Sequence, residues 1–376
     1  MGKLMPRRTY WMYGIGGKPE EAAEAMGDRG FGAVVGGDAE AVRAVRAAGM
    51  EAWQCGGAFR TSEKDTKNLA VDIEGNPQMW FGSGSPNSRE LRDRNLSFYA
   101  EIAGMEGLAG VFVDGCRFAS PASGLMPFLT DFSIHSERRA VELGFDFALM
   151  KRDAAAFLAL LRTGGSLRGM SCIGSPSGML EWLTARPGIF EWLRFRRACA
   201  TAHFRDIAGI LHGAGKRMGV YIFAPSLASL VGQSYADLAP FVDVFAPMLY
   251  RNYPDKPGIA CLNWELACLP DELGVADSPS EEALMELVLA FTGLADVVPS
   301  RRVRQIQSSV PPEAVGRETA RARAQLPLDK ELAPIVYIDD PDMEETARQV
   351  FMNGADGLGF FLFGGLDSLP DLHQFA

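Results

Sequence analysis

Gly110-Val111-Phe112-Val113-Asp114-Gly115-Cys116-Arg117-Phe118 runs from an uninterrupted apolar segment straight into an acid, a glycine, a thiol and a base. A strand with one face in water alternates apolar and polar residues, whereas a strand buried on both faces is apolar throughout. Val111, Phe112 and Val113 therefore read as a central strand of a parallel sheet, and Asp114 as the residue at which it leaves the core. In a parallel α/β barrel that edge is the C-terminal rim, where active sites are assembled.

Seven comparable runs flank this one. They are Thr9–Tyr13 (TYWMY), 32–35 (GAVV), 50–54 (MEAWQ), 219–223 (GVYIF), 242–248 (VDVFAPM), 334–338 (PIVYI) and 357–363 (GLGFFLF), with 110–113 standing fourth in order. Helical patterns separate them, over about 19–26, 39–48, 89–102, 137–143, 148–161, 190–212, 262–269, 280–294, 312–325 and 343–352. A short additional strand is read at 305–308 and a glycine-rich stretch near 164–178. Eight strands alternating with helices predict a (β/α)8 TIM barrel, with an open doubly wound sheet as the competing architecture. The first strand begins near the N-terminus and the eighth ends near the C-terminus, as barrel closure requires. The loops after strands three and four are long, and long loops inside a domain are usually functional. No composition break divides residues 1–376, so a single barrel domain is expected.

Composition narrows the function classes. The chain carries a formal net charge of −10 and no block of five or more basic residues, which argues against nucleic acid as a partner. No apolar stretch reaches the ~18 residues of a membrane span. Residues 1–8 are basic with no apolar segment behind them, so no signal peptide is read. The expectation is a cytoplasmic protein, or a secreted or periplasmic one if a signal is removed ahead of this sequence. Six cysteines, with no C-x-x-C pair, read as reduced thiols. Nothing in the sequence sets the oligomeric state.

The predicted rim holds Tyr13, Gly36, Gly37, Trp53, Gln54, Cys55, Asp114, Cys116, Arg117, Ala224, Ser226, Met248, Tyr250, Arg251, Asp339, Asp340, Gly364 and Gly365. It contains no histidine. Of the four histidines, His203 and His212 belong to an outer helix and His373 to the C-terminal end, leaving His135 in a loop. A histidine-rich metal site and a Ser-His-Asp triad are thus disfavoured, and no metal is expected. No phosphate-binding glycine motif follows a strand, so no cofactor is expected either. What remains is carboxylate chemistry between aromatic walls. Sugar rings stack on aromatics, their hydroxyls bind acids and amides, and a glycosidic bond is cleaved by one acid that protonates the leaving oxygen and a second that serves as nucleophile or base. Tyr10, Tyr13, Trp53, Trp80, Tyr250, Tyr253 and Trp264 supply rings near the predicted rim.

Four stretches, in order, resemble the glycoside-hydrolase-like TIM-barrel families known as hypothetical glycosyl hydrolases. The fourth-strand run ending in Asp114, Gly115 and Arg117 is one. Trp192-Leu193-Arg194-Phe195-Arg196 is similar to their Trp-x-x-Phe-Arg helix. The stretch from Asp243 through Pro247 and Met248 to Tyr250 resembles their sixth strand, and Gly354-Ala355-Asp356-Gly357 their closing strand. The resemblance implies a sugar-directed barrel with Asp114 in the catalytic or substrate-binding position. It departs in the loop after strand four, where residues 130–135 (TDFSIH) stand in place of a cysteine-containing segment.

Each candidate has a plainer reading. Asp114 and Arg117 can form a structural ion pair, in which Arg117 keeps Asp114 ionised. Asp243 stands at the entry of its strand and Arg196 inside a helix, where structural roles are expected. The second carboxylate is open among Asp339, Asp340, Glu265 and the pair Asp72 and Glu74, although Asp340 also reads as the acidic start of a helix. Cys55 and Cys116 end neighbouring strands and read as buried thiols, with a disulfide or a soft-metal site as the alternative. The reading that results is hydrolysis of a poly- or oligosaccharide. Asp114, Asp339 and Glu265 are its candidate catalytic acids, and Arg117, Tyr250, Gln54, Trp53 and Tyr13 bind substrate. The rival is a carbohydrate-binding barrel without catalysis. A lyase or aldolase barrel is disfavoured because no lysine ends a strand.

Overall fold

The structure, a computed structural model, describes residues 8–164, 176–254 and 260–375. Most of the basic stretch 1–8, most of the glycine-rich stretch near 164–178, Cys172 and the side chain of His373 lie outside the described residues.

All eight predicted strands form: β1 (Thr9–Tyr13), β2 (Ala33–Val35), β3 (Glu51–Gly57), β4 (Leu108–Asp114), β5 (Arg217–Ile222), β6 (Val244–Pro247), β7 (Ile335–Tyr337) and β8 (Gly357–Phe361). Together with the two-residue strand Glu331–Leu332 they make one nine-stranded sheet in which every pairing is parallel. The order runs β7, β8, β1, β2, β3, β4, β5, β6 and then Glu331–Leu332. The last strand leads back into β7. Ala333 N–H donates to Phe245 O at 2.8 Å and Leu249 N–H to Ile335 O at 2.9 Å, while Met248 bridges Ile335. These contacts curl the sheet round on itself into a TIM-barrel-like fold. Helices Pro19–Asp28, Ala39–Ala47, Arg89–Ala103, Gly188–Gly213, Pro312–Gln325 and Met343–Met352 occupy the crossovers. The strand expected at 305–308 is helical instead, Val303–Ser308. Its buried residues, Val303 and Ile306, recur with a helical spacing, and Glu281 accepts the Val303 N–H at 2.8 Å.

Parallel partners point to the same side of the sheet, so the register sorts the barrel interior. Trp11, Trp53, Phe112 and Tyr221 fill it. The Trp11 and Trp53 rings lie 5.2 Å apart, Trp53 and Phe112 5.3 Å, and Phe112 stacks on Tyr221 at 4.5 Å. Glycines make this filling possible. A Cβ on Gly110 would stand 2.3 Å from the Trp53 ring, and one on Gly219 2.6 Å from Phe112. Below the aromatic layer, Arg217 covers the Trp53 ring at 4.7 Å and pairs with Glu51, so the N-terminal end is plugged. Asp243, at the entry of β6, accepts Met218 N–H at 2.8 Å and meets His212 at 3.0 Å. It belongs to that lower end, as its position in the motif predicts.

The two long connections at the mouth share a core. Asp131, from the β4–β5 connection, is buried and accepts Val71 N–H at 3.1 Å, Ser133 N–H at 3.0 Å, Ser136 Oγ–H at 2.7 Å and the Ser85 hydroxyl. It thereby binds the β3–β4 connection to its neighbour. Phe118, Phe128, Leu129, Phe132, Trp192 and Phe195 pack into an apolar cluster beside it. Arg196, wholly buried, donates to Leu230 O at 2.6 Å and to the carbonyls of Phe128 and Thr130, with its guanidinium 3.9 Å from the Trp192 ring. Burial lowers its pKa well below the usual arginine value. Its role is structural, as expected for a charge inside a helix.

Glycine positions supply a test of the packed interior. Gly110→Ala forces a methyl group into Trp53 and should destabilise the protein by about 1–3 kcal/mol. Gly209→Ala lies on an exposed helical surface with nothing within 4 Å of the new Cβ. It should stabilise by about 0.5–1 kcal/mol. Urea unfolding of both variants checks the opposite signs.

Candidate functional site

β4 delivers Asp114 to the C-terminal end of the sheet, opposite Gly57 on β3. There it lines a cavity of about 180 Å³ together with Tyr13, Arg60, Phe81, Arg117, Tyr221, Met248, Tyr250, Ala260, Phe361 and Leu362. The rings form a connected wall. Tyr13 packs against Tyr221 at 5.6 Å and Phe361 at 5.1 Å, and Tyr250 against Phe361 at 5.2 Å. Tyr253 extends the wall, 6.0 Å from Tyr250 and 5.0 Å from Tyr337. Burial raises the phenols of Tyr221 and Tyr250 well above the usual tyrosine value, so both stay protonated. The Tyr13 phenol is raised too, by its coupling to the neighbouring Cys55 and by burial.

Burial also raises the pKa of Asp114, against the opposing pulls of Arg117, the Gly115 N–H and Arg60. The sequence predicts an ion pair in which Arg117 keeps Asp114 ionised; the structure corrects this. No ion pair of 4 Å or less joins them among the described residues. Gly115 has φ +65° and turns the chain. The Arg117 guanidinium then lies 4.7 Å from the Phe223 ring and donates to Phe118 O at 3.1 Å. Burial lowers the Arg117 pKa, opposed by the charges of Glu265 first and Asp114 second.

Glu265 reaches this point because Cys261 bridges Tyr250 and opens the helix Leu262–Glu272 beside β6. Glu265 is buried and accepts the Ala122 N–H at 3.0 Å through Oε2, while Oε1 has no hydrogen-bond partner among the described residues. Burial pushes its carboxyl up to about 6, against the nearby Ser120 hydroxyl, the Ala122 N–H and the charge of Arg117. Arg117 is thus electrostatically shared by Asp114 and Glu265, but Glu265 is not among the residues lining the cavity.

Other expectations are corrected. Asp339 is exposed and does not line the cavity. Its neighbour Asp340 is buried, paired with Arg251, and accepts Thr346 Oγ1–H at 2.7 Å and Asp342 N–H at 2.9 Å. It anchors the helix Met343–Met352, which agrees with its reading as a helix start. Trp53 is not at the rim: β3 continues through Cys55, Gly56 and Gly57, leaving Trp53 in mid-strand and wholly buried. Gln54 faces the opposite side from Trp53 and Cys55 and donates to Gly37 O, outside the cavity. Asp72 accepts Glu74 N–H and Asn76 N–H, each at 2.9 Å, and holds a turn, while Glu74 pairs with Arg162 at 2.6 Å. Tyr10 packs outward on Phe351, and the Trp264 indole donates to Tyr253 O. Cys55 and Cys116 carry free thiols, both raised by burial. Arg60, Phe81, Tyr221, Phe361 and Leu362 were not singled out by the sequence. Strand parity with Asp114 would have found Tyr221 once the register was known; Arg60 and Phe81 carry no such signal. Among the described residues, no group of three or more His, Cys, Asp or Glu could hold a metal ion, and no helix is long and apolar enough to cross a membrane.

The architecture is a TIM-barrel-like fold. It is similar to the catalytic domain of β-amylase from Paenibacillus polymyxa, with 13% identity, a TM-score of 0.50, and coverage of 99% of this chain and 98% of that one. It is also similar to the PgaB (BpsB) glycoside hydrolase domain from Bordetella bronchiseptica, with 12% identity, a TM-score of 0.54, and coverage of 97% and 96%. No family model and no curated protein matches the sequence.

The raised carboxyl of Glu265 has a signed consequence. Its folded value of about 6 exceeds the ordinary 4.5, so the native state holds a proton that the unfolded chain releases between those two pH values. Stability therefore falls as pH rises through that window, by about 2 kcal/mol in total. Glu265→Gln keeps an acceptor for Ala122 and removes this cost. It should be more stable than the parent at about pH 8 and equal to it at about pH 4, read by chemical denaturation.

Proposed function

We propose that the protein is a glycosidase built as one barrel domain, with Asp114 as the acid that cleaves a glycosidic bond in a poly- or oligosaccharide. The observation that carries this reading is a carboxyl group at the mouth of the barrel, inside an aromatic-walled cavity, with its pKa raised by burial. A raised value keeps the proton available for transfer nearer neutral pH, which is what a general acid requires. Asp114 gives its proton to the leaving oxygen as the bond to the anomeric carbon breaks. As carboxylate, it then takes a proton from the water that adds to that carbon. Tyr13, Tyr221 and Tyr250 stay protonated and present phenols to the sugar hydroxyls, and Phe361 and Phe81 offer apolar faces. Arg117 binds substrate, and Glu265 acts through it as a positioning residue.

A second reading, a carbohydrate-binding barrel without catalysis, draws on one observation: Asp114 is the only acid lining the cavity among the described residues. Two-carboxylate hydrolysis places its acids about 5–9.5 Å apart.

Reducing-sugar release across a panel of oligosaccharides separates the two. Asp114→Asn should lose about 10²–10⁴-fold in turnover while keeping its thermal stability and oligosaccharide binding. The parent's activity should decline as pH rises, with an apparent pKa above that of an ordinary aspartate. Undiminished turnover by the variant would overturn the assignment. Binding without turnover of any glycan by the parent would favour the binding barrel.

A further inference from the structure

The cavity holds one more charged group than hydrolysis of a neutral sugar needs. Arg60 stands at its mouth on a backbone fixed by the opposite strand of the same loop. Thr61 N–H donates to Gly82 O at 3.0 Å, Gly84 N–H to Phe59 O at 3.0 Å, and Ser83 Oγ–H to Ala58 O at 3.1 Å. Two glycines make room for its side chain. A Cβ on Gly57 would meet Arg60 Nε at 2.9 Å, and one on Gly82 would meet Nη1 at 2.9 Å. The guanidinium lies 5.1 Å from the Phe81 ring, and Nη1 donates to Phe81 O at 2.9 Å. This is a held, exposed cation, and no carboxylate lies within 4 Å of it among the described residues. Nε and Nη2 are not engaged in hydrogen bonds to other described residues.

The charges around it do not cancel in the working state. As a carboxylate, above about pH 6, Glu265 offsets Arg117 from behind the cavity wall. Asp114 is the acid left to offset Arg60, and as a general acid it is protonated and neutral when it acts. Arg60 then faces the cavity unmatched, in a chain whose overall charge is −10. A guanidinium presents a planar fork that matches a carboxylate or another oxyanion bidentately. A negative group on the substrate would supply the missing charge as the sugar seats against the cavity's aromatic walls.

We infer that the sugar seated in this cavity carries an anionic oxy-group, a uronate carboxylate or a sulfate ester, which pairs with Arg60. The inference rests on the proposal that Asp114 is a general acid. It adds a substrate class to that proposal: acidic glycans, with Arg60 as the residue that selects them.

Calorimetric titration of the full chain with three sets of oligosaccharides tests it: uronate oligomers, the same oligomers after carboxyl reduction, and sulfated oligomers. At least one anionic set should bind about tenfold or more tighter than the neutral one, as expected for a hydrogen-bonded charge. Whichever set does so identifies the oxyanion. The preference should vanish in Arg60→Ala, return in part in Arg60→Lys, and weaken in high salt for the parent. Equal behaviour of charged and neutral sets, including no binding of either, overturns the inference, as does a preference that survives Arg60→Ala. Hydrolysis of a neutral glycan with no anionic preference would overturn this inference and leave the glycosidase reading standing. Arg60-dependent binding of an acidic glycan with no turnover would do the reverse.

Discussion

Everything at the mouth of this barrel depends on how its interior is filled. Trp11, Trp53, Phe112 and Tyr221 occupy the space between the strands, and the absence of a side chain at Gly110 and Gly219 lets them pack ring against ring. Protein interiors are dense enough that one added methyl group is felt. This layer sets the depth of the cavity above it. Because the floor is apolar, the carboxyl one step above Phe112 loses hydration, and its proton affinity rises. Packing at the centre of the barrel and acidity at its rim are two results of one arrangement.

The charges at the rim are spread rather than paired. Arg117 makes no close ion pair with Asp114 and is shared electrostatically with Glu265 on its other side. A bidentate salt bridge would have pulled the Asp114 pKa down and tied up both oxygens. A cation kept at a distance, stacked on Phe223, moderates the acid without neutralising it. The contrast is Arg251, which does embrace Asp340 in a buried pair and helps anchor a helix. The same two residue types do different work in this fold according to how closely they meet.

The strands were legible because each central segment is a short, continuous apolar run, and a sheet covered on both faces imposes that pattern. The ends were less legible. Cys55, Gly56 and Gly57 look like a loop, yet they pair with β4 as far as Asp114, which moves Trp53 from the rim to the interior. The acid at the end of β4 could be located from its own strand alone. The group that moderates it could be named but not placed, since the turn at Gly115 decides where Arg117 goes. Glu265 could be listed, but its burial depends on the bridge between Tyr250 and Cys261, a contact between loops. Arg60 was illegible altogether. Its position comes from a loop folding back on itself between residues 58 and 84, which no local periodicity records.

The clasp at Asp131 ties the two long connections together, so a change in one is felt by the other. One buried carboxylate accepts donors from both, and a shared apolar cluster lies beside it. Lengthening or trimming either connection through this region would strand a buried charge without its donors, which costs several kcal/mol. Changes in length are therefore tolerated best at the loop tips beyond the clasp. On the other side of the mouth, where Tyr253 follows β6, buried Arg251 and Asn263 hold the neighbouring segments in the same way.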